Sequence, residues 1–279
     1  MIHSTVDAAY FTDLLALDRL RRDEKDELLL PAGEIITSPY HIAVVEQLRG
    51  ELLRDLPAPD SLPVDVFISA QGEPTNRATT KMGGLPYWPA REDWPVNEYD
   101  SFLTFVGQLC FSDSQDILPP LPGDILLVFA DYDQFGDEEA FLTFYWRKQT
   151  NEEPINADDL PWSGWKIAPP YGYRHRTVDY VEDLPGASKI RRPYLLARIE
   201  GTKIGGMPRW IQYDPELPGQ FLGSIGSVHP TWGKPYPFVN HPEPIDLSYA
   251  EKSLMWGDAG SLYLSMTPDG VIHWDLQYY

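Results

Sequence analysis

An octamer that occurs twice constrains this chain more than any other feature. Residues 81 to 88 read KMGGLPYW and residues 203 to 210 read KIGGMPRW, with Lys, Gly, Gly, Pro and Trp in common. Paired glycines permit positive φ or close backbone approach, proline fixes φ, and tryptophan supplies a large ring to pin a turn on a core. The octamer therefore reads first as a structural turn. By identities alone such a match is weak, since residue usage of roughly 5–7% gives on the order of one coincidence in a chain this long. Downstream order decides. FVGQLC (105 to 110) and GDILLVF (123 to 129) follow the first copy; FLGSIG (221 to 226) and GDAGSLYL (257 to 264) follow the second. Landmarks in the same order predict an internally duplicated unit.

Short β-branched and aromatic runs separated by Pro, Gly and Asp dominate from Val64 onward. VDVFI, FLTFVGQL, DILLVFA, AFLTFYW, PYLLARI (193 to 199), SLYLSM and VIHWDL all read as strands. No helical pattern alternates with them, which disfavours a parallel sheet and predicts an α+β fold, mainly antiparallel β, with its halves at about 64–148 and 190–279 related by a pseudo-twofold. The polar segment from Gln149 to Asp183 reads as the surface crossing between those halves. Residues 1–60 read as a helical N-terminal extension to a domain over 61–279. One helix is expected over 7 to 22; a second starts at Ser38 as cap and Pro39 as first helical residue, with His41, Val45, Leu48 and Leu52 on one face and Pro57 beyond its end.

Composition narrows the partners. Forty-two acidic residues against 22 basic give a formal charge of -20, which argues against nucleic acid and anionic membranes, both bound through Lys and Arg, and favours a basic protein or peptide. With the single Cys110, no basic or apolar leader and no membrane-length apolar run, a reducing cytoplasm is the expected location.

KMGGLPYWP, FLTFVGQLCF, PPLPGDILLVFADYD and LMWGDAGSLYL together resemble the YwqG-like family of bacterial proteins, a domain of unknown function, over roughly residues 64 to 279. GGxPxW also resembles the eukaryotic TYPP group, which includes programmed cell death protein two. The eukaryotic resemblance implies a dedicated chaperone for a basic ribosomal protein; the bacterial one implies peptide binding or immunity to a toxin, without an established enzyme activity. The second unit has Ser224 where the first has Gln108, so the halves are not expected to bind alike.

The chain lacks the phosphate-loop and dinucleotide signatures, and no GxSxG is present. Ser224, Ser227 and His229 share one small-residue stretch, but sequence neighbours rarely form a catalytic pair. His229, His241, Glu243 and Asp246 fit no usual zinc spacing, so no metal and no cofactor is expected. The acids of DYDQFGDEE, Asp131 to Glu139, lack the spaced ligands of a calcium loop. These observations favour a non-enzymatic binding module, chaperone-like or immunity-related, whose aromatic and acidic groove takes an extended segment of a basic protein. Tyr87, Trp88, Gln108, Arg209, Trp210, Trp232, Trp256 and Asp258 are its candidate binding residues: aromatics as anchors, and the positions at which the copies differ as the source of specificity. No residue is assigned a catalytic role. The alternative is a hydrolase using paired acidic groove residues.

Overall fold

A computed structural model of the chain describes residues 39–70, 74, 76–131, 142–161, 171–185, 194–227 and 256–279. Among the described residues the fold is mainly antiparallel β with little helix. Helix among the described residues is confined to α1 (Pro39–Leu53), α2 (Tyr194–Ala197) and a short 3-10 turn at Ala157–Asp159. No described helix is long and apolar enough to cross a membrane. The chain forms two compact units, one holding the described residues of Met1–Ser69, Tyr173–Pro235 and Met255–Tyr279, the other those of Ala70–Gly172.

In the second unit the strands are β2 (Lys81–Met82), β3 (Thr104–Cys110), β4 (Ile125–Ala130) and β5 (Leu142–Arg147), paired antiparallel in that order. All six residues of β4 are buried. That accounts for its unbroken apolar run, because a strand covered on both faces has no polar side to alternate with. Ile125, Leu127 and Phe129 join Trp88, Leu103, Phe105 and Ile155 in one core cluster. Edge-to-face rings tie it together, with Trp88 at 5.6 Å from Phe129 and 5.3 Å from Tyr145.

The first unit contains β1 (Ser61–Ala70) up to Ser69, β6 (Tyr171–Tyr180) from Tyr173, β7 (Lys203–Gly205), β8 (Gln220–Gly226), β9 (Ser261–Met266) and β10 (Ile272–Gln277). Their order is β10-β9-β8-β7-β1-β6. Strands β7 to β10 pair as β2 to β5 do. Lys81 stands opposite Gln108 and Lys203 opposite Ser224, and a register shift falls between Phe105 and Gly107 in one set and between Phe221 and Gly223 in the other. Glycine is required at that shift. A Cβ on Gly107 would meet the Lys81 carbonyl oxygen at 2.9 Å, and one on Gly223 the Lys203 oxygen at 2.2 Å.

The lysine that opens each octamer has a definite task. Lys81 and Lys203 are 1% and 0% exposed, and each Nζ donates to the carbonyl four residues on, that of Leu85 or Met207. The glycine pairs between hold φ of 65° and 69°, and of 74° and 66°, which lets the chain fold back over the ammonium. Lys203 also donates to Asp179 at 2.6 Å, and that buried carboxylate accepts the Ile199 and Met207 N–H groups as well. Desolvation lowers the Lys203 pKa, and the Asp179 charge opposes that shift.

Three sequence readings change. PYLLARI forms the helix α2 at Tyr194–Ala197 in place of a strand. A short apolar run carries no period that separates the two; here the carbonyls of Leu196 and Ala197 are taken up by Arg49. The segment from Gln149 to Asp183 is not loop throughout, since β6 occupies Tyr171–Tyr180 and supplies Asp179. The second expected helix is α1, with Val45 and Leu48 buried as its spacing requires, but the face also carries Arg49, 2% exposed. The helix expected over 7 to 22 lies outside the described residues.

Candidate functional site

A concavity lies in the second unit, at the end of its octamer. It encloses about 180 Å³ and is lined by Tyr87, Trp88, Glu92, Arg147, Thr150 and Glu152, among others. Gln108 shapes it from below. Fully buried on β3, that side chain accepts the Tyr87 N–H at 2.9 Å and donates to the carbonyls of Arg77 at 2.7 Å and Thr79 at 2.8 Å. The strand thereby fixes the backbone from which Tyr87 and Trp88 project.

Tyr87 closes one wall by exchanging hydrogen bonds with Thr150. Its hydroxyl donates to the Thr150 carbonyl at 2.9 Å and accepts the Thr150 N–H at 2.8 Å. Trp88 is 3% exposed, and the guanidinium of Arg147, the last residue of β5, lies over its ring at 4.1 Å. Glu92 holds that guanidinium from the side, with Nη2 donating at 2.7 Å. The Arg147 Nε–H is buried without an acceptor among the described residues. On the opposite rim Glu152 pairs with Arg91. Among the described residues, both cavity carboxylates are thus engaged by arginines, and neither serine, cysteine nor histidine lines the space.

The same register positions in the first unit are filled differently. Arg209, where the other octamer has Tyr87, donates to the Trp210 carbonyl, while the Trp210 ring packs tilted at 58° against Tyr263 of β9, 4.6 Å between centroids. Tyr263 occupies the register position that Leu127 holds in β4, and Gln277 the one that Arg147 holds in β5. Gln277 accepts the N–H groups of Ile211 at 2.9 Å and Gln212 at 3.0 Å. An added ring and an inward amide replace the arginine that stacks on Trp88. Burial and the Glu200 charge raise the Tyr263 pKa, so its hydroxyl stays protonated as a donor to the Arg209 carbonyl.

Among the sequence-derived candidates, then, Tyr87 and Trp88 line the cavity and Gln108 supports it, whereas Arg209 and Trp210 lie together in the other unit. Trp232 is outside the described residues. Trp256 is 5% exposed, with its backbone N–H donating to the Ser227 hydroxyl at 2.9 Å. The neighbouring Asp258 side chain is exposed on the WGDAG turn. Ser227 and Ser224 donate to the carbonyls of Gly260 and Gly201 at 2.8 and 2.6 Å, and both are buried. His229 is not described. Burial raises the Cys110 thiol pKa, and no group of His, Cys, Asp and Glu among the described residues is arranged to hold a metal ion.

Sequence reasoning missed Arg147, Glu92, Thr150 and Glu152. A cation ending an otherwise apolar strand, LTFYWR, is the one signal that was available for Arg147. A family model described as Domain of unknown function (DUF1963) matches residues 80–276. No curated protein matches the chain.

Proposed function

The chain belongs to the family defined by that domain of unknown function, and on that premise we propose that it is a non-enzymatic binding module for a segment of a basic protein. The observation that carries the reading is the cavity beside Trp88: aromatic walls on a rigid backbone, with both of its carboxylates already held by arginines. A general acid or base needs a carboxyl group free to exchange a proton with substrate. Pre-organised aromatic walls instead suit anchoring of a side chain. Glu153, Asp158 and Asp159, exposed on the segment after Thr150, add negative charge that would steer a cationic partner.

The finer readings belong to the same proposal. The β2–β5 and β7–β10 sets are copies of one ancestral unit, supported by their common pairing order and register shift. The family branch is the YwqG-like one, the protein works in the cytoplasm, and its partner is a chaperone client or a toxin. Affinity capture with the full chain from native lysate, at low and at moderate salt, tests the central claim. A retained basic protein that is lost with Tyr87→Ala is expected; recovery of none at either salt concentration overturns the reading.

A further inference from the structure

The chain between Trp94 and Leu103 makes a narrow ribbon whose large side chains face solvent. Val96 and Phe102 are bridged opposite one another, and Tyr99 stands at the tip. Their exposures are 43%, 55% and 70%. Loop tips are ordinarily polar, so three large apolar or aromatic groups here call for an explanation.

The ribbon is also built to hold its shape. Asn97 Oδ1 accepts the N–H groups of Tyr99 and Ser101, both at 2.9 Å, while the Asn97 N–H donates to the Ser101 carbonyl at 2.9 Å. Asp100 takes φ of 59°, and its N–H donates to the Asn97 carbonyl at 3.1 Å. At the base, Leu103 N–H donates to the Pro95 carbonyl, and Trp94 Nε1–H donates to the Leu103 carbonyl at 2.7 Å. A knob fixed in this way loses little conformational freedom on binding.

Its surroundings specify the sign of the partner. Glu98 and Asp100 flank Tyr99, and Asp93 precedes the ribbon, all three exposed. No lysine, arginine or histidine stands between Arg91 and Arg147, a stretch that carries twelve acidic residues. A second copy of this chain, at formal charge -20, would bring like charge against that rim. We infer that the Val96–Tyr99–Phe102 knob is a docking surface for a cationic, partly apolar partner, its rings forming the contact centre and Asp93, Glu98 and Asp100 the steering rim. This inference rests on the basic-partner reading above and adds a contact separate from the cavity residues.

A synthetic peptide of alternating lysine and leucine, with all-lysine and alternating glutamate–leucine peptides as controls, is the defined probe. Titrating each into the full chain by fluorescence anisotropy should give binding of the lysine–leucine peptide alone, weakened about tenfold or more by Tyr99→Ser/Phe102→Ser. Glu98→Gln/Asp100→Asn should flatten its salt dependence. The cavity variant Tyr87→Ala separates the two ideas. Binding lost in that variant and kept in the knob variant overturns the docking surface while leaving the module intact. Failure of the unaltered chain to bind the peptide overturns both. Equal binding of the all-lysine peptide, or a dimer in sedimentation that only the knob variant dissolves, also overturns the assignment to a cationic, partly apolar partner.

Discussion

Lys203 shows what a repeated residue does for its own turn. An identical lysine heads both octamers, and in the second copy burial turns it inward to close its turn and to meet Asp179. Removing one member of a buried pair strands the other charge, which typically costs about 3–5 kcal/mol, whereas removing both is far milder. Lys203→Met should therefore lower the urea midpoint severely, and Lys203→Met/Asp179→Asn, which removes the stranded charge and keeps an acceptor for the Ile199 N–H, should recover much of that loss. Equal damage from the single and the double variant would contradict the pairing. Gln108 makes the same point with a neutral group. Its place in FVGQLC, the run that follows the first octamer, was readable as a landmark, but its three hydrogen bonds to distant backbone were not.

Beside the buried Val45 and Leu48, Arg49 anchors helix α1 through hydrogen bonds. Arg49 Nε donates to the Leu196 carbonyl at 2.7 Å and Nη1 to that of Val178 at 2.9 Å, with the guanidinium 5.1 Å from the Tyr180 ring centroid. Arg49→Ala leaves those carbonyls to find other donors, and a loss of about 2–3 kcal/mol is expected. Amide exchange should report it locally, with α1 losing protection while β4 keeps its own; an unchanged α1 would argue against the anchor.

Strand β6 adds a pH dependence to this contact. His175 lies 3.9 Å from Glu46 of α1, and desolvation, the largest influence, lowers its pKa below 6.5, with Glu46 and Asp65 opposing and Arg49 reinforcing the shift. Between the folded pKa and 6.5 the unfolded chain binds more protons, so the stabilising contribution is present above pH 6.5 and is lost as pH falls through the folded value. Melting temperature should drop across that window, and His175→Gln should make the drop shallower. Identical profiles for the two proteins would remove His175 as its source.

At the scale of the whole molecule, charge is the dominant variable. A formal charge of -20 destabilises the compact state by self-repulsion, and salt screens it over a Debye length of about 10 Å at 0.1 M. Thermal stability should rise between about 20 mM and 300 mM sodium chloride, opposite in sign to the salt response expected for binding a cationic partner. A melting temperature indifferent to salt would mean that the acids are locally compensated.

Sequence alone determined the β character, the places of β1, β3, β4, β5, β9 and β10 but not of β2, β6, β7 and β8, and the repeated turn, because those rest on local chemistry: buried strands must be apolar along their length, and paired glycines must sit where the chain reverses. It did not reveal that PYLLARI is helical, that β6 crosses the polar segment, or that Arg147 lies over Trp88 with Glu92 beside it. Those features depend on partners 55 to 147 residues away in the chain, as Arg147–Glu92 and Arg49–Leu196 illustrate. Burial and hydrogen-bond geometry between such distant residues exist only once the chain has folded, and there the cavity and the knob acquire their shapes.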